Sequence, residues 1–192
     1  MAASTLVRAR WVALGIVAGA VLGAAPASAQ STTFVVGPAV LVDTDFTPSA
    51  KASLGLFADG WFGADRAVSW GGLAGYARAD FPVGQDELHR HHGWAALSVR
   101  ARTSAGSAVG VSLGLGALAW DDVNETDSAF RSSADLEMIL LPGIEVRLGG
   151  SDSVEFVAHV RDQVSGWVDA ILDPEEGAFQ HRMLIGVGIV FR

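Results

Sequence analysis

Residues 107–120 read SAVGVSLGLGALAW, and their alternation decides how the rest of the chain is read. Val109, Val111, Leu113, Leu115, Ala117 and Ala119 fall on one side of a two-residue period. Ala108, Gly110, Ser112, Gly114, Gly116, Leu118 and Trp120 fall on the other. A period of two sends successive side chains to opposite faces of a strand. A helix over the same residues would scatter its glycines around every side and lose stability at each. The stretch is a strand with one apolar face and one face of mostly small residues.

The same period recurs on both sides of it. Toward the N-terminus it marks strands over about 33–43 (Phe34, Val36, Pro38, Val40, Val42), 51–62 (Leu54, Leu56, Ala58), 66–79 (Val68, Trp70, Ala74, Tyr76) and 93–102 (Ala95, Leu97, Val99, Ala101). Toward the C-terminus it marks 134–148 (Leu136, Met138, Leu140, Ile144, Val146, Leu148), 153–163 (Val154, Phe156, Ala158, Val160) and 183–192 (Met183, Ile185, Val187, Ile189, Phe191). Pro38 and Pro142 point to an edge or a bulge in their strands, because proline cannot donate to a ladder. The connections alternate too. GADR, TSAG and GGSDS are short, whereas TDFTPSA, DFPVGQDELHRHH, DDVNETDSAFRSS and SGWVDAILDPEEGAF are longer or more polar. Short turns at one end and long loops at the other, with an even strand count, are the signature of an up-and-down transmembrane β-barrel. The expected fold is all-β: an eight-stranded antiparallel barrel.

A soluble barrel also alternates, but with its apolar face inward. The character of the second face separates the two. It carries Gly, Ala and Ser among charges of both signs: Lys51 and Asp59, Arg100 and Arg102, Glu137, Glu145 and Arg147, then Glu155, His159 and Arg161. Eight strands enclose a space that side chains fill. Glycines leave room there, and Glu and Arg satisfy one another away from water. The lumen network is therefore expected from Asp59, Arg100, Arg102, Glu137, Glu145, Arg147, Glu155, His159 and Arg161. Trp61, Trp70, Tyr76, Trp94 and Trp120 lie near strand ends, where interfacial girdles sit. Trp61, Trp94 and Trp120 nevertheless fall on the inward face.

The N-terminus reads as a cleavable signal peptide over 1–29. Arg8 and Arg10 are its only charges, an uncharged run covers Trp11 to Ala25, and Ala27 and Ala29 fit an A-x-A cleavage site. That run is shorter than the roughly 20 residues a spanning helix needs, and no later run approaches that length. The barrel domain is expected over 30–192. Cleavage takes Lys+Arg from 13 to 11 against 21 Asp+Glu, a formal charge of −10. So acidic a chain lacks the basic face that nucleic-acid binding requires. It contains no cysteine, and a closed barrel needs no disulfide staple because it has no edge.

On these residues the chain resembles the small outer-membrane β-barrels of Gram-negative bacteria, of OmpA, OmpX/Ail and OmpW type, over about 31–192. The resemblance implies a place in the bacterial outer membrane, with membrane lipid and lipopolysaccharide as partners. It also implies that the barrel-assembly machinery reads the closing strand through Ile185, Val187, Ile189 and Phe191. Arg192 departs from the family's terminal aromatic.

Candidate chemistry is sparse. His89, His91 and His92, just after Asp86 and Glu87, carry imidazoles and carboxylates of the kind that hold zinc or copper, but a solvated loop or strand rim accounts for them. An acyl hydrolase would need Ser, His and a carboxylate together. His159, Asp162, Ser165 and Asp169 do not reproduce the His-x-Ser-Asn motif of the lipid A deacylase barrels. Asp121, Asp122, Glu125, Asp127, Asp173, Glu175 and Glu176 lack the spacing of a calcium loop. Gly114 and Gly116 resemble a piece of a dinucleotide fingerprint with no helix to follow. No catalytic, cofactor or metal residue is expected. The functional expectation is a non-enzymatic barrel with a plugged polar lumen and a structural or surface-interaction role. The alternatives are a narrow transport barrel for small or apolar solutes and, behind it, a lipid-modifying enzyme.

Overall fold

The computed structural model describes residues 31–43, 52–83, 86–104, 107–124, 134–150, 154–172 and 179–191. The signal peptide, Lys51 and the acids Glu125, Asp127, Asp173, Glu175 and Glu176 lie outside them. So do the side chains of Asp86, Glu87, Asp121, Asp122 and Asp169.

Eight strands form in the order the alternation gives: β1 (Thr32–Asp43), β2 (Ala52–Phe62), β3 (Val68–Val83), β4 (Asp86–Arg102), β5 (Val109–Asn124), β6 (Ala134–Gly150), β7 (Glu155–Ser165) and β8 (Gln180–Phe191). Each pairs antiparallel with the next, and β8 returns to β1, with Val190 opposite Val35 and Ile185 opposite Val40. The barrel is closed, so no strand edge is left to protect.

Two segments differ from the expected elements, and β6 is irregular where proline points to it. The segment DFPVGQDELHRHH is not a long loop. It extends β3 and β4 into a hairpin in which Asp80 faces His89 and Val83 faces Asp86 across the ladder. Backbone pairing does not require apolar side chains, so a strand can leave the hydrocarbon region while its sequence turns polar. Within the longer connection after β7, Trp167–Leu172 forms a short helix, α1. Strand β6 continues through Pro142, but its register with β7 passes from Leu140–Val164 to Gly143–Arg161 without pairing Leu141 or Pro142. A missing N–H is the reason. The same pair carries a bulge between Arg147 and Gly149, where Gly149 takes φ +89°.

The outward face is apolar over the middle of the barrel. Leu54 is 72% exposed and Leu113 58%, and Val99, Val111, Ile144, Phe156, Val187 and Ile189 are likewise exposed. An uninterrupted apolar belt on a closed barrel is satisfied by lipid, since water would leave it unpaid for by any burial. Inward residues supply the packed core: Val35, Leu41, Phe57, Trp61, Leu73, Trp94, Leu118, Ile139, Leu141 and Leu184.

Candidate functional site in the barrel lumen

The rim with the turns after β2, β4 and β6 is the periplasmic one by the short-turn rule. In that half of the lumen the charged residues come together. Arg161 on β7 reaches across to Asp59 on β2: its Nη1 donates to Oδ1 at 3.1 Å and its Nη2 to Oδ2. Both side chains are almost wholly buried. Arg100 on β4 donates from Nε to Ser69 Oγ at 2.9 Å and from Nη1 to Glu145 Oε1 at 3.2 Å. Its guanidinium also lies 4.3 Å from the centre of the Trp61 ring, a cation–π distance. Arg102 Nη2 donates to the same Glu145 Oε1. Nearer the rim, Arg147 Nε contacts Glu155 Oε1 at 3.0 Å.

Of the nine expected network residues, seven therefore form ion pairs with one another. Glu137 stands apart near the opposite rim, accepting from Trp120 Nε1 at 3.3 Å. His159 points inward but packs edge-on against Phe57, with ring centres 4.2 Å apart.

Glycines set these contacts. Strand β5 lies between Arg102 and Glu145 and places Gly110 opposite both. A Cβ there would come within 3.2 Å of the Cγ atoms of both side chains. On the cross-strand ladder Arg161 faces Gly143, His159 faces Gly186 and Trp94 faces Gly75. A bulky inward side chain thus lies over a neighbour that has none.

Toward the other rim the lumen is filled by apolar groups instead: Leu41, Leu73, Ala77, Trp94, Leu118, Ile139, Leu141 and Leu184. Trp61 and Trp94 are fully buried, so these two belong to the core and not to an interfacial girdle. Trp70 and Tyr76 face outward. Above the apolar layer Arg182 donates to Ser165 Oγ at 3.1 Å and to Gln180 Oε1 at 2.7 Å. Gln163, opposite Arg182 on the ladder, is fully buried, and neither its Oε1 nor its Nε2 has a hydrogen-bond partner. Arg182, Ser165 and Gln163 were not anticipated as lumen residues, although strand parity alone places them inward.

The histidine cluster sits on β4. His91 Nδ1 meets the hydroxyl of outward-facing Tyr76 at 2.5 Å, and Arg78 donates to His89 Nδ1 at 3.0 Å. Among the described residues no three His, Asp or Glu side chains come together as metal ligands. The acyl-hydrolase set is dispersed as well. Ser165 is held by Arg182, His159 lies against Phe57, and Asp162 pairs with His181 at 2.8 Å. In β8, Ile185, Val187, Ile189 and Phe191 are exposed and alternate with buried Leu184, Gly186, Gly188 and Val190.

No protein-family model and no curated protein sequence matches the chain. Solved structures do. The attachment invasion locus protein Ail of Yersinia pestis, in complex with the heparin analogue sucrose octasulfate, superposes with a TM-score of 0.54 at 12% identity, covering 84% of this chain and 99% of that one. Neisserial surface protein A gives 0.52 at 9% identity, covering 85% and 99%. The outer-membrane protein OprG of Pseudomonas aeruginosa gives 0.50 at 14%, covering 85% and 97%. At such identities the likeness is one of fold. The chain is an eight-stranded barrel with the fold of these outer-membrane proteins, and a lipid bilayer is where its apolar belt is satisfied.

Proposed function

We propose that this outer-membrane barrel is non-enzymatic, that its lumen is closed to ions, and that its work is structural or interactive, at the outer leaflet and the extracellular loops. The observation that carries the reading is the pair of lumen layers. Asp59–Arg161 and Arg100–Glu145–Arg102 cross the periplasmic half, and an apolar layer around Trp94 fills the other. Two filled layers in series support a lumen without the hydrated path that a steady ion current follows.

At the extracellular side Tyr76, Arg78 and His91 form an outward-facing polar patch on β3 and β4, with the buried His89 hydrogen-bonded to Arg78 beneath it. Its place above the apolar belt suits the headgroup region of lipopolysaccharide. In assembly, the exposed alternation Ile185, Val187, Ile189 and Phe191 is the feature offered to the insertion machinery. Planar-bilayer recording of the purified barrel tests the closed lumen. The expected trace stays at baseline, and a steady open channel in the wild type overturns the reading in favour of a narrow transport barrel.

A further inference from the structure

Among the described residues the charges in the periplasmic half of the lumen do not balance. Among the described residues that half holds four guanidiniums, from Arg100, Arg102, Arg147 and Arg161, against three carboxylates, from Asp59, Glu145 and Glu155. Arg147 and Glu155 are partly exposed at the rim, where water screens them. Setting that pair aside leaves three cations and two anions, and the excess of one sits among nearly buried groups. Arginine does not deprotonate in proteins, and His159 supplies no negative charge.

The surplus can be located. Asp59 is engaged by both terminal nitrogens of Arg161, and Glu145 is shared between Arg100 and Arg102. Arg100 is further supported by Ser69 and the Trp61 ring. Arg102 has less: its Nη2 meets Glu145, while Nε and Nη1 are buried with no partner. Its side chain is only 3% exposed. Water can accept those N–H groups but cannot neutralise the charge, and an uncompensated buried ion is strongly destabilising.

We propose that Arg102 binds a small monovalent anion such as a halide, entering from the periplasmic rim. The anion completes the coordination of Arg102 Nε or Nη1 and brings the inner charge count to zero. This inference stands apart from the closed-lumen reading, since an anion can occupy the site whether or not the barrel conducts.

The test uses the full barrel refolded in lipid vesicles and unfolded in urea at constant ionic strength, in sodium bromide or in sodium gluconate. The wild type is expected to unfold at higher urea in bromide, with a midpoint that keeps rising with the logarithm of bromide concentration once the site fills. The Arg102→Gln variant removes the surplus charge and keeps a donor for Glu145, so its midpoints in the two salts should coincide. A crystal soaked in bromide should show an anomalous peak within hydrogen-bond distance of Arg102 Nε or Nη1, and this arm decides the matter if the variant does not fold. Equal wild-type midpoints in the two salts overturn the site. So does a bromide increment that survives in Arg102→Gln, or a soaked crystal with no peak beside Arg102.

Discussion

Removing Asp59 should damage the barrel far more than removing an exposed acid. Its carboxylate takes both terminal nitrogens of Arg161, and the two side chains are 3% and 1% exposed. Truncation by Asp59→Ala leaves a guanidinium inside the barrel with no counter-charge beside it. Breaking a buried pair from one side costs about 3–5 kcal/mol, whereas exposed pairs are typically worth about 1 kcal/mol or less. At an m-value of about 1–3 kcal/mol per molar urea, the midpoint should fall by roughly 2 M. The assay is urea unfolding in lipid vesicles followed by tryptophan emission. Trp61 and Trp94 are fully buried, so their emission shifts when the barrel opens. The double variant Asp59→Leu with Arg161→Met is the control, because apolar replacement of a whole buried pair is often neutral or stabilising. It should unfold near the wild type, well above either single change. A single Asp59→Ala cost below about 1 kcal/mol, or a double variant as weak as the single, would refute the view that the pair is buried and mutually dependent.

Gln163→Leu should stabilise the barrel by about 1–3 kcal/mol, because it removes a buried amide that has no partner; an unchanged or lower urea midpoint would show that the amide is satisfied. In the periplasmic turn, the Ser31 hydroxyl 2.5 Å from Asp65 Oδ1, helped by the Asp65 backbone amide, holds that carboxyl below its ordinary value. The contact therefore adds stability above the ordinary carboxylate range, lost as the pH falls through the lowered value. Ser31→Ala should raise the Asp65 value in a carbon-detected NMR titration, and an unmoved titration would count against the contact. For conduction, Asp59→Leu with Arg161→Met should stay silent in planar bilayers because the Trp94 layer remains, while adding Trp94→Ala should open measurable current. Current in the charge-pair variant alone would show that the upper layer does not seal.

The sequence made the architecture legible because lipid and lumen are opposite solvents, and each strand records both. Leu113 against Gly114, or Ile185 against Gly186, carries the assignment of face without any knowledge of the neighbours. Pairing across the lumen is less legible. Parity placed Arg161 and Asp59 inward, but they are 102 residues apart and meet only because the barrel closes. The expectation of a polar lumen network among small residues leaves out the apolar layer. Leu41, Leu73, Leu118, Ile139 and Leu184 show why: an apolar residue on the inward face reads as noise in one strand and becomes a layer only when strands are stacked. The extension of β3 and β4 was hidden for the reverse reason. Hydrophobic alternation reports the span of the bilayer, and a hairpin that rises above it loses the signal while keeping its hydrogen bonds.

Glycine placement is the part of the code that local reading undervalued. Taken alone, Gly75, Gly110, Gly143 and Gly186 look like weak points in a strand, since each gives up packing and adds unfolded-state entropy. Paired across the ladder they face Trp94, Arg102, Arg161 and His159. The cost is local and the gain is shared, because each of these bulky side chains fills lumen space over a neighbour that has none. A lumen built this way specifies its contents by omission. It also explains why the charges sit where they do: Arg102 and Glu145 meet because the strand between them presents no side chain at that level. A side chain in place of that glycine would press on both Arg102 and Glu145, so the charge network and the glycine pattern are one feature of the sequence.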